Sequence, residues 1–462
     1  MGHSYQPASV ALIEEGCKMK EKIFSLIEQG KYADVRKEIV NMNIVDIAQL
    51  IEELDRQKLL VVFRILPKEI ASGVFSYIPN KLQKYIIESI TDEEIKNILD
   101  ELFFDDTVDF LEEMPSNIVK KVLKNTDEKT RKLINQFLNY PEDSAGSIMT
   151  IEFVDLKKEM TVKEALEHIK KTGIDKETIN TCYVIDNNRI LEGVISIRKL
   201  ILSEESALVE DIMEKDVVYI NTHDDQEKIA SIFKKYDFLS MPVVDNERRL
   251  VGIVTIDDIV DIIDRENTED FQKMAAMEPS EEEYLNTNAF VLAKHRITWL
   301  LVLMVSASLT GNIIRKFEES LQSVVVLASF IPMLMDTGGN AGSQSSTLII
   351  RGLSLGEITL NDVFKVLWKE IQVGCLVALT LSLANFARIH YLEKIDLLVS
   401  LVVTITLFFT VLTAKIVGGI LPIIAKRLKV DPAIMASPLI TTIVDAITLT
   451  LYFSTASRLL GI

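Results

Sequence analysis

The chain has 462 residues, 48% of them hydrophobic and 26% charged, which is too long for one compact domain and predicts a multidomain protein. The net charge is −18, and residues 291–462 carry 14 basic and 10 acidic residues, which leaves 36 basic and 58 acidic residues for residues 1–290. This acidic excess argues against nucleic acid as a partner, because phosphates would be repelled, and favours cations. The three cysteines, Cys17, Cys182 and Cys375, are too far apart and too few for a disulfide framework or a zinc cluster.

Residues 1–140 are predicted to be helical throughout. Leu, Ile and Val recur at helical spacing, with breaks at Pro67, Pro79, Pro115 and Pro141. Segments between the breaks, such as DIAQLIEEL, predict short stacked helix pairs in a superhelical array. The region has no catalytic triad, Gly-rich phosphate loop or His-rich motif, so we interpret it as a regulatory domain or a scaffold.

The middle of the chain contains an internal repeat with a spacing of 59 residues. Asp186 matches Asp245, and Gly193 matches Gly252. Each copy combines a helical stretch, a strand, a strand that contains the glycine, and a second helix. The repeat resembles the CBS (cystathionine beta-synthase) domain, a βαββα module that works in pairs.

The CBS resemblance implies a nucleotide site. In the second copy, Thr255 and Asp258 stand where adenosine-binding members hold phosphate and ribose, whereas Ser196 of the first copy is followed by Lys199 in place of the acid. Only the second copy therefore keeps the nucleotide pattern. The same residues also fit a helix cap and a surface acid, so ATP as a cofactor stays one of two interpretations.

An acidic helical segment follows the repeat and ends at Pro279. Within fourteen residues it contains seven carboxylates: Asp257, Asp258, Asp261, Asp264, Glu266, Glu269 and Asp270. Such a cluster is either a solvated charged face or a binding region for divalent cations, which relieve the repulsion.

The last third of the chain contains five apolar stretches, each long enough to cross about 30 Å of hydrocarbon. They run from Ile297 to Ile314, Val324 to Ile350, Ile371 to Ile389, Leu397 to Ala425 and Ala433 to Leu459. Eight basic residues flank them on the N-terminal side and five on the other, which places the N-terminal side inside. With no signal sequence recognisable, we expect a multi-pass protein of the cytoplasmic membrane whose N-terminus lies in the cytoplasm.

Three ionisable residues lie within these stretches: Asp336, Lys415 and Asp445. Charges at bilayer depth are costly, so each is a functional hypothesis by default. Asp336 opens the sequence DTGGNAGSQ, whose glycines allow either close helix approach or a local break that exposes carbonyls. Its amide and hydroxyl side chains could line a water-filled path.

The whole chain resembles the MgtE-type magnesium channels and transporters. The match rests on PMLMDTGGNAGSQSSTLIIRGL, AKIVGGILP, DPAIMASPLITTIVDAITLTLYF and, before the membrane stretches, TEDFQKMAAM. The resemblance implies an all-α superhelical N-domain, an α/β CBS pair, a long connecting helix and a membrane domain of five helices. The corresponding boundaries are 1–140, 141–206 and 207–263 for the two CBS domains, 264–290 for the connecting (plug) helix and 291–462.

The resemblance further implies a homodimer with a pore between the two membrane domains and Mg²⁺ as substrate and regulator. The pore residues it suggests are Asp445, Asn340, Gly338 and Gly339. Mg²⁺ gives up its waters reluctantly, so one carboxylate from each subunit together with carbonyl groups could hold a hydrated ion. The alternative is that Asp445 is a structural acid, hydrogen-bonded between helices.

Feedback by cytosolic Mg²⁺ is also implied, through acids that lock the soluble domains together and close the pore. Carried over by position, these acids are Asp225, Asp237, Asp258, Asp261 and Glu269. For the N-domain, the resemblance assigns no residue to a metal-binding position; Asp100 and Asp109 are acidic residues close to such positions. Without Mg²⁺ the negative charges would push the domains apart, and with it they would be bridged.

Asp336 and Lys415 are charged where the family pattern is neutral. Because their charges are opposite, we predict an intramembrane ion pair between them. Two alternatives to a channel remain: a coupled carrier or exporter of Mg²⁺ or another divalent cation, in which Lys415 takes part in the cycle, and a membrane-anchored Mg²⁺ or nucleotide sensor that transports nothing. No nucleophile and base constellation indicates an enzyme.

Overall fold

The computed structural model describes residues 19–280, 284, 285, 287–317 and 324–461. The chain divides into two compact units, Met1–Ile262 and Ile263–Ile462. The first contains short helices followed by two small sheets, and the second contains long helices. The multidomain fold predicted from the sequence is confirmed.

The N-terminal part of the first unit consists of short helices. After a helical segment at residues 19–28, they are α1 (Tyr32–Ile39), α2 (Ile44–Glu52), α3 (Arg56–Ile65), α4 (Lys68–Tyr77), α5 (Asn80–Ser89), α6 (Asp92–Leu99), α7 (Phe104–Glu112), α8 (Ser116–Asn125) and α9 (Glu128–Phe137). Pro67, Pro79 and Pro115 each directly precede a helix, because their φ near −57° suits a helix start while proline cannot continue the helix before it. Contacts join α1 to α3, α2 to α4, α4 to α6 and α6 to α8, which is the staggered packing of a superhelical array.

The repeat forms two three-stranded sheets, with strand orders β1–β2–β3 and β4–β5–β6. In each sheet the first pair of strands is parallel and the second antiparallel. The elements of the first copy are β1 (Asp155–Leu156), α10 (Val162–Thr172), β2 (Thr181–Ile185), β3 (Leu191–Ser196) and α11 (Ile197–Leu202). After α12 (Val209–Ile212), those of the second are β4 (Ile220–Asn221), α13 (Gln226–Tyr236), β5 (Ser240–Val244), β6 (Leu250–Thr255) and α14 (Ile256–Met274).

The matching aspartates and glycines of the repeat have local physical reasons. Asp186 Oδ1 accepts hydrogen bonds from two backbone N–H groups of the β2–β3 turn, and Asp245 does the same between β5 and β6. A Cβ on Gly193 would lie 2.7 Å from Met213 Sδ, and one on Gly252 would lie 2.8 Å from Met149 Sδ, so both positions require glycine.

Among its described residues, the second unit contains five long helices: α15 (Ala289–Lys316), α16 (Ile331–Ser354), α17 (Val363–Ala387), α18 (Leu397–Arg427) and α19 (Ser437–Leu460). Four of them, with their short 3₁₀ and π extensions, are long and apolar enough to span a membrane; α16 is not among these four. At 24 residues α16 is long enough, but its polar residues lower its hydropathy. The five-helix prediction is therefore confirmed in part.

Candidate cation site in the membrane unit

Asp445 lies in the middle of α19 and is half-buried. Its carboxylate is close enough to that of Asp336 on α16 for the two charges to repel each other. In the part of the chain that the structure describes, neither carboxylate receives a hydrogen bond or an ion pair. The interpretation of Asp445 as an acid hydrogen-bonded between helices is thus not supported, and two neighbouring carboxylates without donors form a candidate cation site.

Asn340 lies one turn after Asp336 on α16, and both side chains are exposed on the same face of that helix. Gly338 and Gly339, by contrast, are buried in helix contacts. A Cβ on Gly338 would lie 2.7 Å from Thr410 Cγ2 of α18, and one on Gly339 would lie 2.7 Å from Thr441 Cγ2 of α19. Helix α16 is continuous at these glycines, so the local break that the sequence also allowed is not present. The position of the two glycines supports close helix packing and not metal ligation.

Lys415 does not pair with Asp336, its predicted partner, but contacts other groups. Its ammonium is buried and donates to Ala341 O and Ser345 Oγ, each at 3.4 Å. Ser345 Oγ in turn donates to Glu370 Oε2 of α17 at 2.6 Å. Among the described residues no ion pair joins Lys415 to Asp336, because Lys415 lies in the interior of the helix bundle while Asp336 lies on its exposed side.

Glu370 is a functional candidate that the sequence reasoning missed. It directly precedes the apolar stretch that begins at Ile371, and so has the position of a flanking acid. The available signal was a stripe of small or polar residues at four-residue spacing along α17: Glu370, Gly374, Ala378 and Ser382. Gly419 of α18 makes the burial of Glu370 feasible, since a Cβ there would lie 2.8 Å from Glu370 Cγ.

The first unit contains a second candidate cation region, where α7 and the repeat bring carboxylates together. The participants, identified by their mutual repulsion, are Asp105, Asp106, Asp109, Glu152, Glu177, Asp257 and Asp258. We call them the acid cluster. Of these, the sequence prediction assigns only Asp258 as a regulatory ligand, while it names Asp257 in the acidic segment and Asp109 as a neighbouring acid of the N-domain. It misses Asp105, Asp106, Glu152 and Glu177, which are distant from that segment in sequence.

Burial and repulsion raise the pKa of six acids of the cluster: Asp105, Asp106, Asp109, Glu152, Glu177 and Asp258. Burial, followed by the charge of Asp105, raises the pKa of Asp258 to about 7, although Thr255 Oγ1 donates to its carboxylate at 2.8 Å. Burial and Asp258 raise the pKa of Asp109 to about 8, and burial and Asp105 raise that of Glu177 to about 8. Ionising the cluster is therefore costly near neutral pH unless a cation compensates for it.

The other predicted regulatory acids lie apart from this cluster. Asp225 caps α13, where it accepts a hydrogen bond from Glu227 N, and Asp237 ends the same helix with φ +54°. Asp261 is exposed on α14, and Glu269 is paired with Lys273, which also contacts Asp431 Oδ2 at 2.6 Å. Among the described residues no group of three or more acids, histidines or cysteines has the arrangement of a preformed metal site.

A cavity of about 300 Å³ lies in the CBS pair. Its lining includes Tyr183, Ser196, Asp237, Ser240 and Pro242. The cavity thus involves the first copy's Ser196, whereas Thr255 and Asp258, the predicted nucleotide ligands, do not line it and belong to the acid cluster. The nucleotide site predicted at Thr255 and Asp258 of the second copy therefore stays a prediction, separate from this cavity.

Comparison with known proteins matches residues 331–455 to the MgtE divalent cation transporter family, 42–143 to the MgtE intracellular N domain, and 145–204 and 209–265 to CBS domains. The chain is 36% identical to the magnesium transporter MgtE of Thermus thermophilus over 96% of this chain and 99% of that protein. It is 33% identical to the magnesium transporter MgtE of Bacillus subtilis over 94% of this chain and 96% of that protein.

Two solved structures resemble the N-terminal half of the chain, both with a TM-score of 0.51. One is the soluble part of a magnesium transporter, 30% identical, which covers 54% of this chain and 99% of its own. The other is the cytosolic domain of the Mg²⁺ channel MgtE in complex with ATP, 34% identical, which covers 53% of this chain and 99% of its own.

Proposed function

The chain belongs to the MgtE family of divalent cation transporters, and we propose that it moves Mg²⁺ across the cytoplasmic membrane past the carboxylates of Asp445 and Asp336. The observation that carries this proposal is the pair of neighbouring carboxylates, without donors among the described residues, on helices of the membrane unit. As a member of a transporter family the protein is not an enzyme, and a sensor that transports nothing is not the activity of this family.

Charge and hydration chemistry favour a pore between two copies of the chain. Asp336 and Asn340 are exposed on the isolated subunit and Asp445 is half-buried, so this face is available to a second copy. A homodimer would bring four carboxylates and two amides around one path for an ion that keeps several of its waters. An Asn340→Cys variant with the native cysteines replaced should therefore be cross-linked to a dimer by a bifunctional thiol reagent long enough to span the path.

The transport proposal is tested with full-length protein in liposomes that contain a Mg²⁺ dye. Asp445→Asn keeps the size of the side chain and removes its charge, so Mg²⁺ flux should be lost while the protein still folds. Glu357→Gln neutralises an exposed carboxylate of the same unit and should keep wild-type flux. Wild-type flux in Asp445→Asn would contradict the assignment of this residue to the ion path.

We also propose that cytosolic Mg²⁺ gates the transporter through the acid cluster. Mg²⁺ would compensate carboxylates whose ionisation burial and repulsion make costly, and would thereby hold α7 against the CBS pair. The α14 helix begins in the acid cluster, and at its other end Met274 packs against Ile350, Ala433 and Ala436 of the membrane unit. Because one helix joins both regions, binding at the cluster has a direct route to the membrane helices.

The gating proposal predicts that Mg²⁺ slows limited proteolysis of the soluble domains more than Na⁺ of equal ionic strength. Replacing Asp105, Asp109 and Asp258 together by Asn should remove this difference. Asp225, Asp237 and Asp261 are the matched control set, since they lie outside the cluster. Equal protection by Mg²⁺ in the cluster variant and the wild type would refute the assignment of Asp105, Asp109 and Asp258 as Mg²⁺ ligands.

Finally, we propose that a nucleotide occupies the 300 Å³ cavity of the CBS pair, since a relative's cytosolic domain binds ATP. Tyr183 and Ser240 are joined by a 2.8 Å hydrogen bond in its wall, and Ser196 lies at the start of α11. ATP should raise the melting temperature of the full-length protein. Val218→Trp, which places a ring in the cavity, should abolish that increase.

A further inference from the structure

A second cavity, of about 440 Å³, lies in the first unit beside the N-terminal helices. It is formed by the end of α6, the start of α7, the connection from α8 to α9, and Ile151 and Glu152 before β1. Its volume falls within the range of roughly 300–1,000 Å³ that is usual for small-molecule sites. It is distinct from the cavity of the CBS pair and shares Glu152 with the acid cluster.

The charged side chains in the wall of this cavity are mostly acidic. Asp100, Asp127 and Glu152 contribute carboxylates, and the exposed Lys129 is the one basic side chain among the described residues of the wall. Glu152 Oε2 is buried and has no hydrogen-bond partner among the described residues. A buried carboxylate oxygen without a donor favours a ligand that supplies one.

The hydroxyl groups of the wall offer lone pairs and not protons. Thr107 and Thr126 each donate the hydroxyl proton to a backbone carbonyl earlier in the chain, at 3.1 and 3.0 Å. Thr130 donates its proton to Asp127 Oδ2 at 2.7 Å. A hydroxyl group has a single proton, so these three oxygens can only accept hydrogen bonds from a ligand.

Other donors near the cavity are also engaged. Asn125 Nδ2 donates to Lys121 O at 2.9 Å, and Thr130 N at the start of α9 donates to Asp127 Oδ1 at 2.9 Å. Because a carboxylate caps α9, the start of this helix is not open to an anion. A phosphate, carboxylate or nucleotide would meet acceptors where it needs donors, so the wall does not fit these ligands.

The remainder of the wall is apolar. It consists of Leu99, Leu102, Phe104, Leu133 and Ile151. A metal ion such as Mg²⁺ needs oxygen ligands around it and gains nothing from such a wall. A ligand with N–H donors at its charged ends and a hydrocarbon chain between them matches both parts of the wall.

We propose that this cavity binds an aliphatic diamine or polyamine, with one ammonium at Glu152 and another at the carboxylates of Asp100 and Asp127. Each ammonium has three donors for the carboxylate and threonine oxygens, and the methylene chain lies against the apolar side chains. The charges of Glu152 and Asp105 repel each other, so an ammonium at Glu152 also relieves the acid cluster. A bound amine should therefore stabilise the first unit without Mg²⁺. Mg²⁺ transport does not require this ligand.

Binding is tested by calorimetric titration of the full-length protein in detergent and EDTA with putrescine (1,4-diaminobutane). We expect one site per subunit and a melting temperature higher than NaCl of equal ionic strength produces. The N-permethylated analogue keeps the two charges and the chain but has no N–H donors, so it should bind at least tenfold more weakly. Equal affinity for the two compounds, or no saturable binding, would overturn the proposal and leave the transport function standing.

Two variants locate the site. Glu152→Gln removes a charge that Asp105 repels, and Asn is as good a helix cap as Asp, so Glu152→Gln and Asp127→Asn should both fold. Each should weaken putrescine binding tenfold or more. Glu205→Gln, an exposed carboxylate of the same unit outside the cavity, should keep the wild-type affinity.

The pattern across the variants distinguishes the cavity from other acidic surfaces. Wild-type affinity in all three variants would show general attraction to the acidic unit and would overturn the proposal. Weaker binding in Glu152→Gln with wild-type affinity in Asp127→Asn would place the amine in the acid cluster and would equally overturn the cavity as its site.

Discussion

Neutralising Asp258 should stabilise the protein at pH 8 in the absence of Mg²⁺. This carboxylate is half-buried at the start of α14 and repelled by Asp105 and Asp257, and its pKa rises from 3.8 to about 7. Asn in its place removes the charge and can still accept the hydrogen bond from Thr255. The expected direction is opposite to that for most substitutions of a buried polar residue.

The magnitude follows from the pKa. A rise of about three pH units corresponds to about 4 kcal/mol at about 1.4 kcal/mol per unit. Neighbouring acids can take up protons or move apart, so we expect about 2 kcal/mol at pH 8. For a unit of this size that is an increase in melting temperature of about 4–8 °C.

The pH dependence has a definite sign. The folded-state pKa of Asp258 lies above the unfolded value, so its penalty is absent below about pH 4 and grows as the pH rises to about 7. The difference between Asp258→Asn and the wild type should therefore be complete at pH 8 and fall to about a quarter of that value at pH 4.5. Millimolar Mg²⁺ should reduce it, because a bound cation stabilises only the wild-type carboxylate.

The assay is thermal unfolding of full-length protein in detergent, with EDTA or with Mg²⁺, at both pH values. Asp261→Asn is the control, since Asp261 lies one turn away on the same helix and is exposed. Destabilisation or no change by Asp258→Asn at pH 8 in EDTA would refute the conclusion that repulsion dominates at this position.

Two further predictions concern the packing of the membrane unit. Lys415 and Glu370 are buried opposite charges joined through Ser345, so Lys415→Met and Glu370→Gln should each lower the melting temperature, at a cost of up to about 3–5 kcal/mol for stranding the other charge. The double variant should recover much of the loss, and additive losses would contradict their coupling. Gly338→Ala should cost about 1–3 kcal/mol in unfolding free energy, because its Cβ would lie 2.7 Å from Thr410 Cγ2, whereas Gly311→Ala meets open space and should have no cost; equal melting temperatures for the two variants would contradict the close contact.

Features with a local physical cause could be predicted from the sequence alone. Gly193 and Gly252 recur because a Cβ would meet a methionine, and Asp186 and Asp245 recur because each accepts the N–H groups of its own turn. Membrane stretches are recognisable because hydrophobic length is a property of consecutive residues. Asp445 could be singled out for the same reason, since a charge in an apolar run needs no tertiary information to be unusual.

Which side chains meet was decided only by the tertiary structure. Lys415 and Asp336 have opposite charges, but the packing of α16 against α17 and α18 turns Lys415 towards Ser345 and Glu370 and leaves Asp336 exposed. Asp105 and Asp258 are 153 residues apart, and no local pattern connects them. Helical periodicity predicts that a face exists but not which neighbour it contacts, because the rotation of each helix is set by the packing of all its neighbours.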